Sequence, residues 1–162
     1  MPRTLDPHTL GDHLDRLFRA AWALCGSRED AEDLVQETYE RVLRRPRFVR
    51  REDDLGYLYR TLRNTFVSSL RTRARRPQTA SLEDAEARLA APGSGSPVEI
   101  VAAREVFAAI AALPADQRDV IAAVDVAGLS YAEAAETLGV PAGTVMSRLY
   151  RGRARVADAV GA

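Results

Sequence analysis

Apolar residues recur every three or four positions along most of the chain. The first run, Leu10, Leu14, Leu17, Phe18, Ala21, Trp22 and Cys25, predicts an amphipathic helix closed by Gly26 and Ser27. A second helix is predicted from about Ser27, its N-cap, to Arg45, with Ala31, Leu34, Val35, Thr38, Val42 and Leu43 inward and Pro46 as its stop. Phe48 to Asp54 reads as a loop. Leu55, Leu58, Leu62, Phe66, Val67 and Leu70 then predict a third, long helix that ends near the basic cluster Arg71 to Arg76, with Pro77 marking the exit.

From residue 77 to 97 the composition changes to Ala, Pro, Gly, Ser and acidic residues. This stretch predicts a flexible linker with a short helix around Leu82 to Leu89, because it lacks the large apolar side chains a packed segment needs. Helix resumes from Val98 to Ala112. After Leu113-Pro114 a further helix is predicted near Ala115 to Val126, with Val120, Ile121 and Val124 inward, and Gly128 separates it from the C-terminal stretch.

Residues 129 to 155, LSYAEAAETLGVPAGTVMSRLYRGRAR, have the pattern of a helix-turn-helix. Ser130 is an N-cap with Glu133 three positions on, a capping box, and Ala134, Ala135 and Leu138 form the apolar stripe. Gly139 suits the left-handed turn, Val140 plugs the angle between the helices, and Pro141 suits the start of the second helix. Val145, Leu149 and Val156 are spaced for burial. Thr144, Ser147, Arg148, Tyr150, Arg151, Arg153 and Arg155 supply polar groups, a recognition helix with its N-terminal half in a major groove. The plainer alternative is a helical hairpin with a solvated basic face. The expected fold is all-α: two small helical domains, 8–76 and 98–160, joined by a flexible linker over 77–97, with the helix-turn-helix in the second.

Composition narrows the class. With 46% apolar residues the chain is not disordered throughout, and with 6% aromatics its core must be mostly Leu, Val and Ala, which suits small helical units. One cysteine, Cys25, cannot form an internal disulfide or a multi-cysteine zinc site, and is expected as a small buried hydrophobe. No apolar run reaches the ~18 residues of a membrane span, and the N-terminus has no secretory segment, so no membrane insertion and a cytoplasmic location are expected.

The formal net charge of +0 hides segregation: residues 1–40 carry four Arg against nine acidic groups, and 41–76 carry twelve Arg against three. Such polarity places an acidic protein-facing surface beside a basic DNA-facing one. An enzyme is disfavoured. There is no Gly-rich phosphate loop after a strand, no HExxH and no Ser-His-Asp arrangement, and His8 and His13 lie in an N-terminal segment expected to be mobile. No metal or cofactor is expected.

The stretches DAEDLVQETYERVLR (30–44), LGYLYRTLRNTFVSSLR (55–71) and LPADQRDVIAAVDVAGLSYAEAAETLGVPAGTVMSRLYRGRARV (113–156), in this order around a variable linker, resemble the extracytoplasmic-function sigma factors of bacterial RNA polymerase, within the sigma-70 superfamily. The resemblance implies a promoter-specificity subunit. Its first domain docks on core polymerase, through the β and β′ subunits, and melts the promoter; its second reads the upstream element. It implies a polymerase-docking face of Asp33, Gln36, Glu37 and Glu40 that meets a basic coiled coil of the largest subunit. It assigns Tyr57, Arg60, Arg63 and Asn64 to the downstream element, where single-stranded bases are captured, with Tyr59 and Phe66 as further aromatics, Phe66 being expected in the core. It assigns Thr144, Ser147, Arg148, Tyr150, Arg151 and Arg153 to the upstream element, and implies an anti-sigma factor as inhibitory partner. The chain departs from the family at Tyr57, where Trp is frequent, at Ser68, where Asp is frequent, and at Met146, where a basic residue is common. Two other readings remain open: a stand-alone helix-turn-helix regulator that binds operator DNA without polymerase, and a sigma-like protein that binds polymerase without initiating.

Overall fold

A computed structural model describes residues 3–44, 48–49, 54–75 and 96–161. The expected helix end at Arg45 and Pro46, the exit at Pro77, the linker up to residue 95 and the short helix from Leu82 to Leu89 lie outside the described residues. The elements are β1 (Arg3–Thr4), a 3-10 helix (Pro7–His13), α1 (Leu14–Cys25), α2 (Arg28–Arg44), β2 (Phe48–Val49), α3 (Asp54–Arg75), α4 (Pro97–Ala111), α5 (Ala115–Ile121), a π-helical turn (Ala122–Val126), α6 (Tyr131–Leu138) and α7 (Ala142–Val160). Among the described residues the fold is all-α apart from one short two-stranded ladder, with two helical units, as the periodicity predicts.

In the first unit α1, α2 and α3 pack on one another. Leu17, Leu58 and Leu62 are fully buried at the centre, each contributing about 1.5–3 kcal/mol by leaving water. The α1–α2 corner forms as the sequence pattern requires. Gly26 adopts φ 77° and donates its N–H to the Trp22 carbonyl, a left-handed closure that glycine makes without a Cβ clash. Ser27 Oγ then accepts from the Asp30 N–H at 3.2 Å, capping α2.

The second unit builds on Val120, Val145 and Leu149, all buried, where α5 and α6 pack against α7. At Gly152 α7 lies tight against α5: a Cβ there would lie 3.0 Å from Ile121 Cγ1.

The two units share one continuous core. α1 packs against α4, α5 and the π-helical turn. Trp22 stacks on Phe107 with centroids 4.6 Å apart, and a Cβ on Gly26 would meet Ala111 Cβ at 3.0 Å.

Several expectations are corrected. The segment carrying His8 and His13 is a 3-10 helix capped by Asp6, whose side chain accepts from the His8 N–H at 2.9 Å. Because 3-10 winding turns faster than α, Leu10 is buried while Leu14, four residues on, is 46% exposed instead of extending the stripe. Leu43 is exposed as well, since Val42 takes the inward position one helical step away. Within the expected loop of 48 to 54, Phe48–Val49 pairs antiparallel with Arg3–Thr4 and Asp54 already begins α3. Two residues are too few for a period-two pattern to be legible. The helix expected over 115–126 changes winding at Ala122, where the Ala127 N–H reaches the Ala122 carbonyl at 2.9 Å. Such widened turns recur at functional sites.

Among the described residues, no helix is long and apolar enough to cross a membrane, and no three metal-ligating side chains gather.

Candidate nucleic-acid interface

The helix-turn-helix is held by local chemistry at each joint. Ser130 Oγ accepts from the Glu133 N–H at 3.1 Å, and the Ser130 N–H donates to Glu133 Oε2 at 2.7 Å, so the capping box at the start of α6 is closed. Gly139 turns the chain with φ 68°. Pro141 caps α7 from extended backbone, and Val140 is half-buried against the core between the two helices. With Val145 and Leu149 inward, α7 presents Ser147, Tyr150 and Arg151 on its exposed side; Tyr150 is 79% exposed. Met146, also exposed, stands beside them and adds an apolar spot.

Thr144 and Ser147 are tied by the Ser147 hydroxyl, which donates to the Thr144 carbonyl at 3.1 Å. Arg151 Nε donates back to the Ser147 carbonyl at 3.3 Å. Those three residues thus form one polar edge along α7. The other two arginines are differently placed. Arg148 lies 3.7 Å from an Asp116 carboxylate oxygen, and Arg153 is gripped by Asp125 at 2.8 and 2.6 Å. The Asp125 hydrogen bonds, more than any other influence, push the Arg153 guanidinium above the ordinary arginine range.

On α3, Arg60 and Asn64 are exposed, and Tyr57 is half-buried beside them. Arg63 turns away from this row. Its Nε donates to Asp119 Oδ2 at 2.7 Å, across the boundary between the units. Tyr59, counted from sequence among the aromatics available for stacking, is wholly buried, and its hydroxyl donates to the Asp119 main-chain carbonyl at 2.8 Å. Burial, with the Asp119 charge second, raises the Tyr59 phenol far above its ordinary value, so it stays a donor. Phe66 is core, as expected, and carries the Arg118 guanidinium 4.9 Å over its ring.

On α2, Asp33, Gln36 and Glu40 are exposed and Glu37 is half-buried, pairing with Arg41 at 2.9 Å. Asp33 and Glu37 also line a cleft of about 290 Å³ with Cys25, Arg73, Ala111 and Arg118. The acidic face therefore begins at the seam between the units. Burial, then the Asp30 charge, pushes the Cys25 thiol up to about 12. It stays protonated at neutral pH and is no nucleophile.

One pattern escaped the reading of the sequence. Asp116, Asp119 and Asp125, on α5 and the π-helical turn, hold Arg148, Arg63 and Arg153 respectively. Asp119 is 4% exposed and satisfied from both sides, since Arg118 Nη2 also reaches it at 3.1 Å. The available signal was the run DQRDVIAAVD, three carboxylates in ten residues on a helix otherwise read as core.

Similarity to known proteins divides along the same two units. The family described as Sigma-70 region 2 matches residues 10–76, and that described as Sigma-70, region 4 matches residues 103–156. The chain is 38% identical over 150 residues to the ECF RNA polymerase sigma factor SigE of Mycolicibacterium smegmatis, covering 90% of this chain and 58% of that protein. It thus spans little more than half of that relative's length. It is 35% identical over 137 residues to the ECF RNA polymerase sigma factor EcfG of Rhodopseudomonas palustris, covering 84% and 74%. Among solved structures, the sigma factor RpoE in complex with the anti-sigma factor NepR from Bartonella quintana superposes with a TM-score of 0.71 at 27% identity, covering 95% of each chain. CnrH in complex with the cytosolic domain of CnrY shares the fold, with a TM-score of 0.61 at 22% identity over 95% of this chain and 86% of that one.

Proposed function

The chain belongs to the extracytoplasmic-function group of the sigma-70 superfamily, and from that premise we propose that it is a promoter-specificity subunit that binds core RNA polymerase and directs transcription initiation. The observation that carries this reading is the coexistence on one chain of an acidic, exposed α2 face and an arginine-bearing α7 in a closed helix-turn-helix. A stand-alone operator-binding regulator has no use for the first.

Residues 8–76 form the docking and melting unit, 77–97 the linker and 98–160 the upstream-element unit. Asp33, Gln36, Glu37 and Glu40 meet a basic surface of the β′ subunit, with the β subunit engaged elsewhere, and complementary charge speeds that encounter. Ser147, Tyr150 and Arg151, with Thr144 supporting the edge, read the upstream element from the major groove. Arg148 and Arg153 serve neighbouring phosphates once their carboxylate partners yield. Tyr57, Arg60, Arg63 and Asn64 hold the downstream element as its strands part.

The chain performs no bond chemistry. Unstacking costs a few kcal/mol per base, and stacking plus phosphate contacts to the displaced strand offset it, so neither ATP nor metal is required. The protein acts in the cytoplasm, where polymerase works, and an anti-sigma protein that covers the α2 or α7 face holds it inactive. Run-off transcription with purified core enzyme, with and without this chain, over a promoter library tests the assignment. A specific transcript that depends on the added chain is expected. Specific duplex binding without core enzyme and without transcript would return the protein to the regulator class.

A further inference from the structure

We propose that Met146 is a specificity-determining residue for the upstream element: its thioether side chain packs on the C5-methyl group of a thymine in the major groove and disfavours the other bases at that position. This deepens the proposed role of α7 at the upstream element and rests on it.

The apolar groups on the outer side of α7 are ordered. Met146, Tyr150 and Ala154 follow one another at intervals of four, so they form one row along the helix. All three are exposed, and Met146 is 52% exposed. Tyr131 of α6 stands beside the row and buried Leu149 lies beneath it. With Arg153 these residues line a hollow of about 470 Å³. The row is not part of the inward stripe of α7, which Val145 and Leu149 already supply. At 3.6 residues per turn, Arg151 flanks the row on one side and Arg153 on the other.

Charge selects the occupant. Between Ala142 and Val160 the helix carries four arginines, Arg148, Arg151, Arg153 and Arg155, against a single carboxylate, Asp158, a balance that suits a polyanion. The rims of a major groove are phosphates and its floor is base edges. Arginines on the flanks of the helix therefore meet the rims, and the row between them meets the floor. The thymine C5-methyl is the one apolar group that the four bases offer on that floor. Guanine and adenine present acceptors there and cytosine an amino donor. A thioether has no donor and is a weak acceptor, so pressing it on those edges strips water from polar groups without replacing the hydrogen bond. Methionine fits the methyl well because its unbranched, polarisable chain adapts to an irregular surface.

The test begins with holoenzyme assembled from core polymerase and the full chain, which selects an upstream element from duplexes randomised in that region. The selected duplex is then rebuilt with uracil in place of thymine at one position at a time, a change that removes a single methyl group. At one or two positions wild-type affinity is expected to fall about 3- to 5-fold, the effect of one methyl returned to water. Met146→Ala is expected to bind thymine and uracil equally at those positions. Met146→Gln keeps the length of the side chain and removes its apolar end, and is expected to lose the same discrimination. Circular dichroism melts verify that both variants stay folded. An enriched element that lacks thymine, wild-type indifference to uracil throughout, or a uracil penalty that persists in both variants overturns the role of Met146 and leaves the promoter-specificity role standing. Recovery of no enriched element overturns both.

Discussion

Arg153 holds Asp125 through two hydrogen bonds, Nε to Oδ2 at 2.8 Å and Nη2 to Oδ1 at 2.6 Å. That fork occupies the same edge a phosphate would take, whereas Arg151 gives only its Nε to a carbonyl of its own helix. The two arginines, two residues apart on one helix, therefore differ in how firmly their charge is already engaged.

Arg151→Ala is expected to cost about 1–3 kcal/mol against the preferred upstream element and to relax base preference there. Arg153→Ala is expected to reduce the salt slope by clearly less than the roughly one unit that a free phosphate contact contributes, because Asp125 already neutralises that charge. Asp125→Ala should strengthen binding at low salt. Titrations of holoenzyme over single-base variants at two salt concentrations measure all three, and an Arg153→Ala slope change equal to a full phosphate contact would show that Asp125 releases its partner without cost.

Glu40→Arg on α2 should leave stability within about 0.5 kcal/mol, since the side chain is exposed. It should weaken capture of core polymerase about tenfold or more through like-charge contact with a basic partner. Competition binding against unmodified chain reads the effect; unchanged core affinity would move the docking surface off this face.

Gly152→Ala brings a Cβ to 3.0 Å from Ile121 Cγ1, 3.3 Å from its Cδ1 and 3.4 Å from Gln117 Cβ. Ile121 is 3% exposed and has little room to yield. Overpacking of about 1–3 kcal/mol is set against a helix-propensity gain of up to about 1 kcal/mol. A net lowering of the melting temperature is expected in a calorimetric scan, with DNA affinity falling only as far as the fold does.

Alkaline pH should destabilise the chain. Burial pushes the Cys25 thiol up to about 12 from 9.0 and the Tyr39 phenol, whose hydroxyl donates to the Leu10 carbonyl, up to about 12 from 10.0. Raised folded values mean that the stabilisation is fully present below the unfolded values. Above pH 9 the unfolded chain releases protons that the folded chain keeps, so stability falls as pH rises toward 12. Urea midpoints across that range should decline, and Cys25→Ala should flatten the lower part of the decline. At neutral pH the native thiol should react slowly with a disulfide reagent and rapidly once unfolded.

The residues alone were enough for everything that depends on neighbours within one or two helical turns. Stripes such as Leu58, Leu62 and Phe66, the left-handed glycines Gly26 and Gly139, and the Ser130–Glu133 box are legible because their partners lie one to four positions away. The acidic run on α2 and the arginines on α7 are legible too, since side chains at those spacings share a helix surface whatever else the chain does. Where local winding departs from the α period, as in the 3-10 segment before Leu14 and the π-helical turn at Ala122–Val126, the same reading loses phase and misplaces Leu14. Tertiary structure alone decided the partners of the charges. Arg63 meets Asp119 over 56 residues, and Arg153 meets Asp125 over 28. No periodicity encodes such distances, because a long-range ion pair depends on which helix faces pack, and the apolar contacts of Trp22, Phe107, Val120 and Ile121 set that packing. The sequence by itself thus determines two helical units and the chemistry each carries; how the units close on each other, and which arginines pair with which carboxylates, is determined only when one shared core brings the carboxylates of α5 against α3 and α7.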